Sequence, residues 1–151
     1  MFHTKYLVMC IGNRDGGDDA VGPYISDKLK SEKTNDVLVV DCGVVPENFT
    51  SVVKTHNPQQ VIIIDAAEMN LQPGAIRIIP KEKIGVMHIS THGIPISIVI
   101  DYLEQYVSSI LFIGVQPKNF NKGISDCVKK SAESLIAHIK KLEFNNFITL
   151  K

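Results

Sequence analysis

Two carboxylates and one imidazole occupy places in the sequence where they could bind a metal ion. Asp19 lies in a glycine-rich loop that follows the first apolar run, and Asp65 comes directly after a later apolar run. His92 stands next to Gly93, where an imidazole is accessible and can serve as a ligand or as an acid or base. Ligands of this type suit nickel, zinc, iron or manganese better than an ion that prefers thiolates.

The loop over residues 10–23 permits two interpretations besides metal binding: a phosphate-binding turn, or a turn whose acids cap the following helix. Its glycines allow tight turns and close approach of a ligand, and a glycine-rich turn between a strand and a helix is typical of phosphate binding. However, the loop lacks the spacings of dinucleotide and P-loop sites, and the carboxylates of Asp18 and Asp19 would repel a phosphate. A cation therefore fits the loop better than a nucleotide does. One of the two acids is expected only to cap the helix that follows.

Two further acids have simpler explanations. Asp41 follows the second apolar run and is interpreted as a turn or cap residue. Glu68, three residues after Asp65, is interpreted as a solvated loop acid. The chain has neither a His-Glu-x-x-His helix motif nor a Gly-x-Ser-x-Gly elbow, so the ordinary metalloprotease and serine hydrolase mechanisms are not favoured.

The elements that must position these side chains follow from the alternation of apolar runs. Strands are predicted over residues 6–11, 37–40, 61–64, 75–79 and 109–113, the third of them ending at Asp65. Helices are predicted over 23–33, from 46 to 55, from 94 onward and over 128–142, with a long loop over 81–93. In the helix after residue 94, one apolar face is predicted to contain five residues: Ile98, Val99, Tyr102, Leu103 and Tyr106.

This order predicts a single α/β domain over residues 1–151, with three α/β/α layers around a twisted, mostly parallel five-stranded sheet. In open sheets of this kind, sites form outside the carboxyl ends of the strands, at a topological switch point. Asp19 and Asp65 are both expected at that edge. The sequence therefore predicts that they share one crevice.

Composition narrows the possible partners and the compartment. Of the 151 residues, 44% are hydrophobic, and 16 basic side chains balance 16 acidic ones, so no net field favours nucleic acid or an anionic membrane. No apolar run approaches the roughly 20 residues that span a bilayer, and no signal peptide is recognised, so a cytoplasmic protein is expected. Cys10 and Cys42 are expected to be buried reduced thiols, since the widely spaced cysteines form no metal-binding pair.

Several short segments, taken in their order along the chain, resemble one known family. They are Gly12-Asn13, Gly17-Asp18-Asp19, Gly22-Pro23, Asp41-Cys42-Gly43, Pro46-Glu47-Asn48, Asp65-Ala66, Pro73-Gly74, Thr91-His92 with Pro95, and Ile113 to Pro117. This set is similar to the nickel–iron hydrogenase maturation endopeptidases and extends over nearly the whole chain. The Pro-Glu-Asn and Gly-Val-Gln-Pro segments look closest to the branch that processes the hydrogenase-3 type large subunit.

The resemblance implies an endopeptidase that removes the C-terminal extension from the nickel-loaded precursor of a hydrogenase large subunit. It implies that Asp19, Asp65 and His92 contact nickel already installed in that substrate and are also the catalytic residues, as in an aspartyl-type peptidase. Nickel would then arrive within the substrate, and no organic cofactor is expected. The protein substrate is the only partner expected, and the enzyme is expected to be a monomer.

The route of peptide cleavage stays open at this point. The metal can polarise the carbonyl group or lower the pKa of an attacking water, or Asp19 or Asp65 can act as general base while nickel positions the substrate. A non-catalytic nickel-binding assembly factor that uses the same residues is a second possible class. A nucleotide-binding α/β module is a third.

Overall fold

The structure is a computed structural model that describes residues 4–30, 36–85, 88–89 and 93–151, with the backbone alone at 88–89. Its six strands are β1 (Tyr6–Ile11), β2 (Val37–Gly43), β3 (Gln60–Glu68), β4 (Ile76–Ile78), β5 (His88–Ile89) and β6 (Ser109–Val115). Its α-helices are α1 (Val21–Lys30), α2 (Thr50–His56), α3 (Lys81–Ile84), α4 (Ile96–Leu103) and α5 (Asp126–Lys140). Two 3₁₀ turns, Gly17–Ala20 and Pro46–Phe49, precede α1 and α2.

Five strands form a continuous sheet in the order β2-β1-β3-β6-β4. The pairs β1–β2, β1–β3 and β3–β6 are parallel, whereas β4 is antiparallel to β6. This arrangement confirms the predicted mostly parallel five-stranded sheet. The short strand β5 is an addition that pairs antiparallel with the end of β3.

The sheet has its switch point between β1 and β3. After β1 the chain forms β2 on one side, and it then returns to place β3 on the other side of β1. The connections that leave these two central strands therefore diverge, which opens a crevice at their carboxyl ends. The Asp19 loop follows β1, and Asp65 lies on β3, so the fold brings both to this crevice.

Two apolar layers hold the helices on opposite faces of the sheet. Leu7, Met9 and Ile11 of β1 pack with α2 and α4, while Val8 and Cys10 pack with α1 and α5. The alternation follows from the two-residue period of a strand that is covered on both faces. It confirms the predicted three-layer α/β/α class.

Strand β3 differs from its predicted limits. The prediction ended it at residue 64, with Asp65 just beyond, but the strand continues to Glu68. Asp65 and Ala66 pair with Gly114 and Val115 of β6, and the following residues pair with β5. Asp65 therefore lies within a strand, and its backbone is fixed by neighbours on the sheet and not by a loop.

The predicted loop over residues 81–93 was also wrong in part, because it contains α3 and β5. The predicted helices are confirmed with small shifts, α1 starting at Val21 and α5 ending at Lys140. Residues 31–33 of the first predicted helix lie outside the described residues. Cys10 and Cys42 are buried free thiols, as predicted. Within the described part of the chain, no helix has the length and apolar character needed to cross a membrane.

Candidate active site

Asp65 is a fully buried carboxylate at the centre of the crevice. Its side chain is 0% exposed, and neither carboxylate oxygen has a hydrogen-bond donor in ordinary geometry among the described residues. Burial raises the pKa of this carboxyl well above its usual range, and the nearby charge of Asp19 raises it further. The Ala66 backbone N–H acts in the opposite direction and has the smallest effect of the three.

Asp19 is the second carboxylate of the pair. It lies in the 3₁₀ turn Gly17–Ala20, is 5% exposed, and accepts a 3.1 Å hydrogen bond at Oδ2 from the backbone N–H of Asn13. The loop folds back on itself, since the Asp19 N–H also donates to the Gly16 carbonyl over 3.1 Å. The structure thus brings Asp19 and Asp65 together, as the strand-end argument predicted.

Asp18, the neighbour of Asp19, has a structural role. Its carboxylate accepts hydrogen bonds from the backbone N–H groups of Lys118 (2.7 Å), Asn119 (3.0 Å) and Ser125 (2.6 Å), and from the Ser125 hydroxyl (2.7 Å). Burial alone would raise the pKa of Asp18, but these hydrogen bonds outweigh it and lower the pKa. One of the two acids was expected to cap α1; Asp18 instead fastens the Asp19 turn to the loop between β6 and α5.

Two glycines permit the close packing that this turn needs. Gly17 adopts a φ of +63°, and a Cβ there would lie 2.6 Å from the Lys122 carbonyl oxygen. At Gly22, in α1, a Cβ would lie 2.2 Å from the carbonyl oxygen of Ile11. Only glycine lets the turn and the helix approach other backbone this closely. These positions explain the Gly-Asp-Asp and Gly-Pro segments of the sequence.

Gln116 is a buried residue for which no separate role was predicted. Its Oε1 accepts the N–H groups of Met69 (2.8 Å) and Leu71 (3.2 Å), and its Nε2 donates to Glu68 Oε2 over 2.8 Å. The Gln116 amide therefore holds the segment that follows Asp65. Glu68 is exposed, as expected, but it lies in β3 and not in a loop. Two sequence signals mark Gln116: an amide placed directly after an apolar strand, and its position in the Gly-Val-Gln-Pro segment.

Arg14 is a second residue that the sequence did not single out. Its guanidinium donates to both carboxylate oxygens of Asp27, over 2.7 and 2.9 Å, and to Asp41. Hydrogen bonding to Arg14 lowers the pKa of Asp27. Asp41 also accepts the Gly43 N–H over 3.1 Å, in agreement with its predicted structural role. Arg14, Asp41 and Gly43 border an open cleft of about 540 Å³ that extends from Gly12 to the end of β2.

The third predicted ligand, His92, lies outside the described residues. The described residues nearest to it along the chain are those of β5 and Gly93. Strand β5 pairs with the end of β3, and an added Cβ at Gly93 would lie 3.3 Å from Glu47 Oε1. Among the residues that the structure describes, no group of three or more His, Cys, Asp or Glu could hold a metal ion. The described part of the candidate site is therefore the carboxylate pair of Asp19 and Asp65.

The fold and the site together define a class of α/β/α proteins with a buried carboxylate pair at the switch point of the sheet. Comparison with known proteins identifies the family within that class. The family model described as hydrogenase maturation protease matches residues 23–142. The hydrogenase 3 maturation protease of Escherichia coli K12 is 31% identical over 142 residues, covering 92% of this chain and 91% of the relative. A putative hydrogenase maturation protease of Methanocaldococcus jannaschii is 36% identical, covering 87% and 84%.

Solved structures agree with these relatives. The crystal structure of a hydrogenase 3 maturation protease superposes with a TM-score of 0.90 at 30% identity, covering 98% of this chain and 97% of that one. The chain belongs to the hydrogenase maturation protease family. The resemblance drawn from the sequence segments is thereby confirmed, and the protein is a hydrogenase maturation endopeptidase.

Proposed function

We propose that this endopeptidase removes the C-terminal extension from the nickel-loaded precursor of a nickel–iron hydrogenase large subunit. The observation that carries the proposal is the buried pair of Asp65 and Asp19. A fully buried carboxylate, whose oxygens have no donor in ordinary hydrogen-bond geometry among the described residues, is costly unless a cation or a proton offsets its charge. A nickel ion presented by the substrate would offset that charge when the precursor binds.

The donor set fits nickel. Two carboxylates and the imidazole of His92 provide oxygen and nitrogen ligands of intermediate hardness. Three ligands from the protein leave coordination positions for groups of the substrate. In this proposal the ion is cargo of the substrate, and the enzyme recognises a loaded precursor through it.

Cleavage requires that a water oxygen attack the carbonyl carbon while the C–N bond of the scissile peptide breaks. In the aspartyl-type route, a carboxylate of the pair accepts a proton from the water, and that proton passes to the leaving nitrogen. In the other route, nickel polarises the carbonyl group and the pair positions the ion. Both routes need the scissile peptide to be held beside Asp19 and Asp65. Binding of the substrate through its nickel ion would position the peptide there.

The test is cleavage of purified nickel-loaded and nickel-free precursors by the wild-type enzyme and three variants, Asp19→Asn, Asp65→Asn and His92→Ala. We expect cleavage of the loaded precursor alone and a loss of at least about 100-fold in each variant. Asp15→Asn is the matched control, because Asp15 is an exposed acid in the same loop as Asp19. The control should cleave at the wild-type rate.

Two results would contradict the proposal. Equal cleavage of both precursors would show that nickel is not recognised. Cleavage of neither, with binding of the loaded form, would favour a nickel-binding assembly factor. We also propose that the enzyme acts as a monomer in the cytoplasm. Because its basic and acidic side chains balance, no net charge attracts the substrate from a distance, and recognition depends on the site itself.

A further inference from the structure

Helix α4 is apolar on both of its faces. Ile96, Val99, Ile100 and Leu103 are buried against the sheet, as a core-facing helix requires. Along α4 and the residues that flank it, four large apolar side chains spaced four residues apart are exposed, and we call them the α4 stripe: Ile94 (44% exposed), Ile98 (53%), Tyr102 (37%) and Tyr106 (44%). The single apolar face predicted for this helix was therefore wrong, since it mixed residues of the stripe with residues of the core.

The tyrosines of the α4 stripe are held in place by Lys54 of α2. The Lys54 ammonium donates to the Tyr102 hydroxyl over 3.0 Å and lies 5.5 and 5.0 Å from the ring centroids of Tyr102 and Tyr106. The two rings are 5.4 Å apart and tilted against each other. A surface ordered in this way loses little side-chain entropy when a partner covers it.

The α4 stripe begins at the carboxyl edge of the sheet, the same edge that carries the candidate active site. Ile94 follows Gly93, which lies against Glu47 just after β2, at the carboxyl edge of the sheet. Ile98 and Tyr102 lie within α4, about 6 Å apart along its axis at the helical rise of roughly 1.5 Å per residue, while Ile94 precedes the helix and Tyr106 follows it. The stripe therefore leads away from the site along one side of the molecule and is about one helix face wide.

We propose that the α4 stripe binds an apolar segment of the C-terminal extension of the precursor while the scissile bond lies at Asp19 and Asp65. This inference rests on the proposed function. The positive charge of Lys54 within the stripe favours a segment that also carries an acidic group. The nearby acids Asp101 and Glu104 are each paired with Lys81, at 2.8 and 2.6 Å, so they oppose such a segment less.

The size of the stripe favours such a segment over a second copy of the chain. Its exposed apolar area is roughly 300–400 Å², which is within the range of a single functional patch. A stable protein interface buries about 800 Å² on each partner, so the stripe alone is too small for a dimer. A short segment that is also held at the active site needs only this smaller area.

The test is the steady-state kinetics of the double variant Ile98→Ser/Tyr106→Ser on the nickel-loaded precursor. Both side chains are exposed, so the melting temperature should stay near that of the wild type. We expect KM to rise at least tenfold while kcat stays within twofold. The matched control is Ile148→Ser, because Ile148 is 64% exposed and lies outside the stripe. On a precursor whose extension is cut back to a few residues, the double variant and the wild type should have the same KM.

The outcomes separate this proposal from the proposed function. If the wild type cleaves the loaded precursor and the double variant keeps its KM, the stripe is not a docking surface, and the proposed function stands. If the wild type cleaves neither precursor, anisotropy of a labelled extension peptide decides: binding lost in the double variant supports the stripe, and unchanged binding overturns it. A wild-type dimer in sedimentation that the double variant abolishes would also overturn it.

Discussion

Replacing Asp18 by Asn should destabilise the protein although the side chain keeps its shape. The four donors around Asp18 come from residues at least 100 positions away along the chain, so they join distant segments. Three of them bind Oδ2 and one, the Ser125 N–H, binds Oδ1. An amide can accept at only one of these positions and would direct its own N–H groups at a donor on the other.

The magnitude follows from those contacts. Even if the amide oxygen takes the Oδ2 position, the partly buried Ser125 N–H loses its acceptor, which costs about 1–3 kcal/mol. The remaining hydrogen bonds also lose the carboxylate charge, which roughly doubles the strength of each. We expect the free energy of unfolding to fall by about 2–4 kcal/mol, which lowers Tm by about 4–16 °C for a chain of this size.

Urea unfolding followed by circular dichroism measures this loss, and Asp15→Asn is the control. Asp15 is exposed, so its substitution should change the free energy of unfolding by less than about 0.5 kcal/mol. Amide exchange at Ser125 should accelerate in Asp18→Asn, since that N–H loses its acceptor at Oδ1. A loss below about 1 kcal/mol, less than one unsatisfied buried donor costs, would refute the reasoning.

Three other substitutions test the packing of the site. Gly22→Ala should lower the free energy of unfolding by about 3 kcal/mol or more, because the new Cβ would lie 2.2 Å from a backbone oxygen. In the control, Gly85→Ala, the new Cβ has nothing within 4 Å, so the free energy of unfolding should change by less than about 1 kcal/mol. Gln116→Ala should cost about 2–4 kcal/mol and speed amide exchange at Met69, whose N–H loses its acceptor; unchanged exchange would contradict this. Asp65→Asn should abolish cleavage yet raise the free energy of unfolding at neutral pH by about 1–3 kcal/mol, because it removes an ionisable group that is fully buried next to Asp19. Urea unfolding beside the cleavage assay checks both.

The strands of the sheet were predictable because each contains an apolar, β-branched run. The end of β3 was not, because Asp65, Ala66 and Ala67 have low strand propensity and are extended only by pairing with β6 and β5. In α4 the helical period was recognised, but a helix that is apolar on two faces gives no sequence signal for which face is buried. Tertiary packing decides both cases.

In the candidate site, too, some features were predictable from the sequence and others were not. The meeting of Asp19 and Asp65 followed from the rule that strand ends of a parallel sheet share one edge. The different roles of Asp18 and Asp19 did not follow, because adjacent acids look alike until their partners are known, and the partners of Asp18 lie on the loop after β6. His92 stays a prediction, since it lies outside the described residues.

The segment from Gln116 to Ser125 holds chain next to each carboxylate of the pair: Gln116 binds Met69, four residues after Asp65, and Ser125 binds Asp18, the neighbour of Asp19. During synthesis the Asp19 turn and strand β3 leave the ribosome well before this segment does. Domains fold when their long-range contacts become available, and these contacts close late in sequence. Until this segment has folded against them, the Asp19 turn lacks its anchor at Ser125 and the residues after Asp65 lack their anchor at Gln116, so the surroundings of the carboxylate pair are completed last by contacts that are distant in sequence.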